Sequence, residues 1–155
     1  MTVVVGVDNS KASGAALRLA AQEARWRQVP LVAVSAYEPP RGQVGGFPGA
    51  AMHTEGEERA TAEATLRATV NNELGDQTGE TDLRISAGLA GRVIIETARQ
   101  THAQLVVLPA RPGMTMEYVL LKARCPITLV PSEAAEEEKA GGDKGDKGDK
   151  DDNRA

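Results

Sequence analysis

Apolar residues along this chain fall into short unbroken runs, separated by longer stretches where they recur every three or four positions. Thr2 to Val7, TVVVGV, is a run of β-branched residues and predicts a strand covered on both faces. From Ser13, read as an N-cap, Leu17, Ala20, Ala21 and Ala24 repeat at helical spacing, and Pro30 limits that helix near Gln28. Trp26, on the flank of the same helix, reads as a packing residue. Leu31 to Tyr37, LVAVSAY, predicts a second strand, followed over residues 38–53 by a loop rich in Gly and Pro. Thr54 and Glu57 form a TxxE capping box for a helix carrying Leu66, Val70 and Leu74, which Gly75 stops. Leu83 to Ala87 reads as a third strand, turning at Gly88 into a helix over 91–103 with Ile94, Ile95 and Ala98 inward. Leu105 to Leu108 is the fourth strand, Thr115 to Arg124 a short last helix, and Ile127 to Val130 a fifth strand between Pro126 and Pro131.

Strands alternating with helices predict an α/β three-layer sandwich, a parallel sheet with helices on both faces. Ligands of such sheets gather at the strand carboxyl ends near the switch in strand order. Asp8, Ala36 and the stretch VVLPARPGM after strand four all stand at such ends and are expected to face one crevice.

Length fits a single domain over 1–131, and the whole chain is 41% apolar but only 3% aromatic, so the core must be Val, Ile, Leu and Ala. The net charge of −4 lies in the tail. Residues 132–155 carry 5 basic and 9 acidic side chains, whereas residues 1–131 carry 13 of each. A neutral body offers no nucleic-acid footprint. The tail has no aliphatic residue larger than alanine and is expected to be disordered, its GDK triplets being too few and proline-free for a collagen helix. No run approaches the roughly 20 apolar residues of a membrane helix. The start of the chain lacks a basic leader, and Cys125 is the only cysteine, so a cytoplasmic location is expected, without disulfide or cysteine-based metal site.

Candidate chemistry is sparse. Neither a P-loop nor a GxGxxG fingerprint follows strand one, and the acidic cluster of a receiver domain is missing. His53 and His102 have no metal-ligand spacing, and Ser10, Ser13 and Ser35 have no His-Asp partners. Cys125 reads as a small buried hydrophobe. No catalytic constellation is present, so the chain is read as non-enzymatic.

The opening VVVGVDNSKASGAALRLAAQEARWRQVPLVAVSAYEPP resembles that of the universal stress protein family. The similarity continues through GLAGRVIIETARQTHAQLVVLPAR and EYVLLKARCPITLVP, covering about residues 3 to 131. It implies a five-stranded parallel sheet of order 3-2-1-4-5, of the adenine nucleotide alpha hydrolase-like type, and a homodimer paired through strand 127–130. ATP-binding members are similar in carrying GxxG after strand four, nine further residues, then Gly with Ser or Thr. Carried across, the first glycine falls on Leu108, the second on Arg111, and the late pair on Gly113 and Met114. Only Gly113 matches, and Leu108 and Gly113 stand five positions apart where the motif needs thirteen. Pro109 and Pro112 also withhold two N–H groups. A micromolar ligand is held by roughly 8 kcal/mol, and three lost charge-assisted hydrogen bonds remove about 5 kcal/mol or more. ATP binding of the family type is therefore not expected.

What the resemblance leaves is the nucleoside half of the crevice: Asp8 on the ribose side, Ala36 beside adenine, and Arg111 as a side-chain donor to one phosphate. The alternative reading is a sensor of AMP, a cyclic nucleotide or another adenine compound at Asp8, Ala36, Arg111 and Gly113, with Asp8 equally able to serve only as the cap of the turn through Asn9 and Ser10. Met114 and Met116 are placed to fill space a nucleotide would otherwise take. A nucleotide hydrolase is a third, weaker reading. The stress, the protein partner and the role of the tail are not legible.

Overall fold

The computed structural model describes residues 1–40 and 54–132. The loop over 41–53 with His53, and the charged tail from 133, lie outside the described residues. Five parallel strands stand in the order β3-β2-β1-β4-β5, as expected. They are β1 (Thr2–Gly6), β2 (Leu31–Tyr37), β3 (Thr81–Ala87), β4 (Ala103–Pro109) and β5 (Ile127–Val130). The helices are α1 (Ala12–Arg27), α2 (Glu55–Leu74), α3 (Ala90–Gln100) and α4 (Met114–Lys122).

Because side chains alternate across a strand, each central strand feeds two cores. Val3, Val5 and Val7 of the first strand and its exit, with Leu31, Ala33, Leu105 and Val107, pack on Leu17 and the alanines of α1 and on Leu66 and Val70 of α2. Val4, Val32, Val34, Val106 and Leu108 face the other way onto Val93, Ile94 and Ala98 of α3 and Val119 of α4. This explains the unbroken apolar runs: β1 and β4 are central and covered on both faces. Glycine permits one close approach, since a Cβ on Gly91 would stand 3.1 Å from Tyr118 where α3 meets α4.

The capping box of α2 is present, with Glu57 N–H donating to Thr54 Oγ1 at 3.2 Å and Thr54 N–H to the Glu57 carboxylate at 2.7 Å. Other boundaries move. Gly75 does end α2, but the chain continues as a 3-10 turn, Gly75–Glu80, and β3 begins two residues before Leu83. α3 stops at Gln100 because His102 turns left-handed (φ 52), which hands Ala103 to β4. α4 ends at Lys122, since Ala123 must already be extended for the chain to straighten before Pro126. Ser13 is not the N-cap of α1. Lys11 holds that position without a side-chain bond, and Ser13 lies fully buried in the first turn, engaged with Asp8. Trp26 does not pack: it is 69% exposed, because the buried stripe of α1 runs through Ala20, Ala21 and Ala24 and leaves position 26 on the outer side. Cys125 is half-buried against the α3/α4 core, and burial pushes its thiol pKa up.

Candidate functional site

The carboxyl ends of β1, β2 and β4 open into a crevice of about 100 Å³. It lies where the strand order reverses, with β1 between β2 and β4. Its floor is apolar, formed by Gly6, Val34, Ile94 and Leu108; Asp8, Ala36 and Arg111 stand around it, and Thr115 and Met116 bring in the start of α4. Three of the four residues expected to share this site therefore do share it. Gly113 does not line it. It caps α4 with a φ of 149°, a backbone conformation that disfavours any side chain. Met116 lies against the crevice, whereas Met114 is 75% exposed and fills nothing.

Asp8 is committed on both oxygens. Its Oδ1 accepts from the N–H of Ser10 at 2.8 Å, from the Ser13 hydroxyl at 2.8 Å, and from the Ser10 hydroxyl. Ser13 in turn accepts the Asp8 N–H at 2.9 Å, so the turn into α1 is closed by reciprocal bonds. The other oxygen, Oδ2, receives Nη1 of Arg111 at 2.9 Å across the crevice mouth. Both partners of that pair are about half exposed, which limits its worth to at most about 1 kcal/mol. Arg111 thus reaches a carboxylate within the chain, at the mouth where a phosphate donor was expected.

The Asp8 carboxyl sits below the ordinary carboxylate range. Burial acts to raise it, and the bonds from Ser10 and Ser13 with the charge of Arg111 outweigh that effect. A depressed folded-state pKa contributes stability that is complete above the unfolded value of about 3.9 and is lost as pH falls through the folded value. Asp8→Asn should therefore flatten the acid limb of stability. Urea midpoints measured between about pH 5 and pH 2 should fall less steeply in the variant than in the parent.

The corner after β4 has no backbone donors to spare. Pro109 and Pro112 have none, the Ala110 N–H is taken by the Val130 carbonyl at 2.7 Å, and the Arg111 N–H by the Pro109 carbonyl at 2.9 Å. Donors reappear only at the start of α4, beside the crevice. Among the described residues no group of three or more His, Cys, Asp or Glu is arranged to hold a metal, and no helix is long and apolar enough to cross a membrane.

Sequence reasoning missed the parts played by Ser13, Thr115 and the apolar floor. A small hydroxyl residue five positions after a strand-terminal Asp was the available signal for Ser13.

An open parallel sheet with a crevice at its switch point defines a doubly wound α/β protein. The model of the universal stress protein family matches residues 1–131, and the chain belongs to that family. No curated protein matches it by sequence. Among solved structures, a universal stress protein from Archaeoglobus fulgidus is 25% identical, with a TM-score of 0.60, over 84% of this chain and 93% of that one. The universal stress protein from Archaeoglobus fulgidus in complex with dAMP is 24% identical, with a TM-score of 0.62, over 84% and 97%. A universal stress protein in complex with cAMP is 18% identical, with a TM-score of 0.61, over 86% and 98%.

Proposed function

We propose that this chain is a non-enzymatic stress-response protein that does not bind ATP through the glycine motif of its family. One observation carries the reading: residues 109–112 offer no free backbone N–H, in a corner about eight residues shorter than the motif requires. A triphosphate needs several such donors converging on its oxygens. Millimolar ATP with magnesium should leave the melting temperature unchanged, whereas a micromolar site would add about 3 to 4 kcal/mol of stability at that concentration.

A second reading rests on the crevice. Asp8, Ala36 and Arg111 converge there with the first turn of α4, a set suited to a nucleoside carrying one phosphate. Related structures hold dAMP and cAMP. In this reading Arg111 leaves Asp8 for the phosphate and frees the carboxylate for the ribose, an exchange with little to oppose it because the pair is half exposed. AMP and cAMP titrated separately decide it; stabilisation by either, lost in Arg111→Ala, supports a mononucleotide sensor, and silence from both removes it.

The protein acts as a homodimer through β5 in this proposal. Among the described residues that strand pairs with β4 alone, leaving its outer edge open, and Leu129 on it and Leu120 and Leu121 on α4 are exposed. Sedimentation at tens of micromolar should give a dimer mass, and a pure monomer would refute the pairing.

A further inference from the structure

A larger concavity lies away from this crevice. Between α3 and α4, beyond the amino-terminal ends of β4 and β5, lies a groove of about 570 Å³, within the roughly 300–1,000 Å³ typical of ligand sites. Ile95, Ala98 and Cys125 give it an apolar floor, and its rim carries the cations Arg99, Lys122 and Arg124 beside the His102 ring. Its single carboxylate, Glu96, is already occupied by Arg99, with both oxygens at 2.8 Å from Nη2, and by Gln100 at 2.9 Å. Lys122 and Arg124 have no ion-pair partner among the described residues. Residues 1–131 carry 13 basic and 13 acidic side chains in all, so two unmatched cations beside a neutralised carboxylate form a local excess at this groove.

The same chain carries the complementary charge. Glu133, Glu136, Glu137 and Glu138 follow β5 closely, with no basic residue among them before Lys139. We propose that residues 133–138 dock in this groove on their own chain, placing glutamates against Lys122 and Arg124. The reach is sufficient. β5 has four residues and runs about 13 Å from the groove end to Val130. An extended run over 131–136 returns about 20 Å. The contact is electrostatic and solvent-exposed, so it is weak and salt-sensitive, in keeping with a segment too poor in apolar residues to fold alone.

Zero-length carbodiimide coupling of the full chain tests this, because Lys11 and Lys122 are the two lysines of residues 1–131 and Lys11 serves as the internal reference. Peptide mass spectrometry of isotopically light and heavy protein, mixed equally, denatured and refolded together so that any dimers hold both isotopes, separates links within one chain from links between chains. Links from Lys122 to Glu136, Glu137 or Glu138 should exceed those from Lys11 about five-fold at low salt, join like isotopes, and fall to the Lys11 level at about 0.5 M salt. Arg124→Glu, checked for an unchanged melting curve, should reduce them by a similar factor. Equal yields at both lysines, links joining light to heavy chains, or yields indifferent to salt and to Arg124→Glu would each overturn the proposal.

Discussion

Gly6→Val destabilises the fold by about 3 kcal/mol and abolishes any ligand binding in the crevice. The position is at the end of the central strand, and a Cβ there would lie 2.8 Å from Ile94 Cδ1 and 2.8 Å from Leu108 Cδ2. Both neighbours are nearly fully buried, so neither side chain can swing out to make room. Valine adds two further methyl groups to a floor that is already in contact. Gly6→Ala asks for less, because only the ends of two side chains must shift, and about 1 kcal/mol is expected. Urea denaturation of the two variants beside the parent gives the ordering. Equal stability of Gly6→Val and the parent would mean that the floor of the crevice is not packed as described.

Leu17→Ala is expected to cost about 3 to 5 kcal/mol, toward the upper end for such substitutions. Leu17 is fully buried where α1 packs on the sheet beside α2. Its helical neighbours in the core are Ala16, Ala20, Ala21 and Ala24, which have no rotamers with which to fill a void. The cluster around it contains no aromatic ring that could relax into the cavity in their place. For a domain whose total stability is about 5 to 15 kcal/mol, that loss is a large fraction. A loss of unfolding free energy under about 1 kcal/mol by chemical denaturation would show the α1 core to be looser than its burial indicates.

Much of this architecture was legible because the pattern that encodes it is local. β1 and β4 announce themselves as runs covered on both faces, and the Thr54/Glu57 pair marks a helix start by chemistry alone. What stayed hidden depends on the third dimension. Histidine is enriched in left-handed turns but still adopts them uncommonly, too weak a signal at His102 to end α3 three residues sooner in a sequence reading. Ser13 has the composition of a helix cap, yet its hydroxyl is used from inside the first turn to hold Asp8. Trp26 is large and apolar, and only the actual phase of the alanine stripe puts it outside.

The site divides in the same way. That Asp8, Ala36 and Arg111 share a crevice follows from their places at strand carboxyl ends, which topology brings together. That Arg111 reaches Asp8, 103 positions earlier, does not follow from any sequence spacing. Nor does the use of the Ala110 N–H by Val130, which turns a short corner into one without spare donors.

The central claim is that this corner does not hold a triphosphate, and isothermal titration of the full chain with magnesium ATP tests it most directly. No saturable heat is expected with ligand up to about 1 mM, corresponding to less than about 4 kcal/mol of binding free energy. A saturable isotherm with a micromolar dissociation constant would contradict the account.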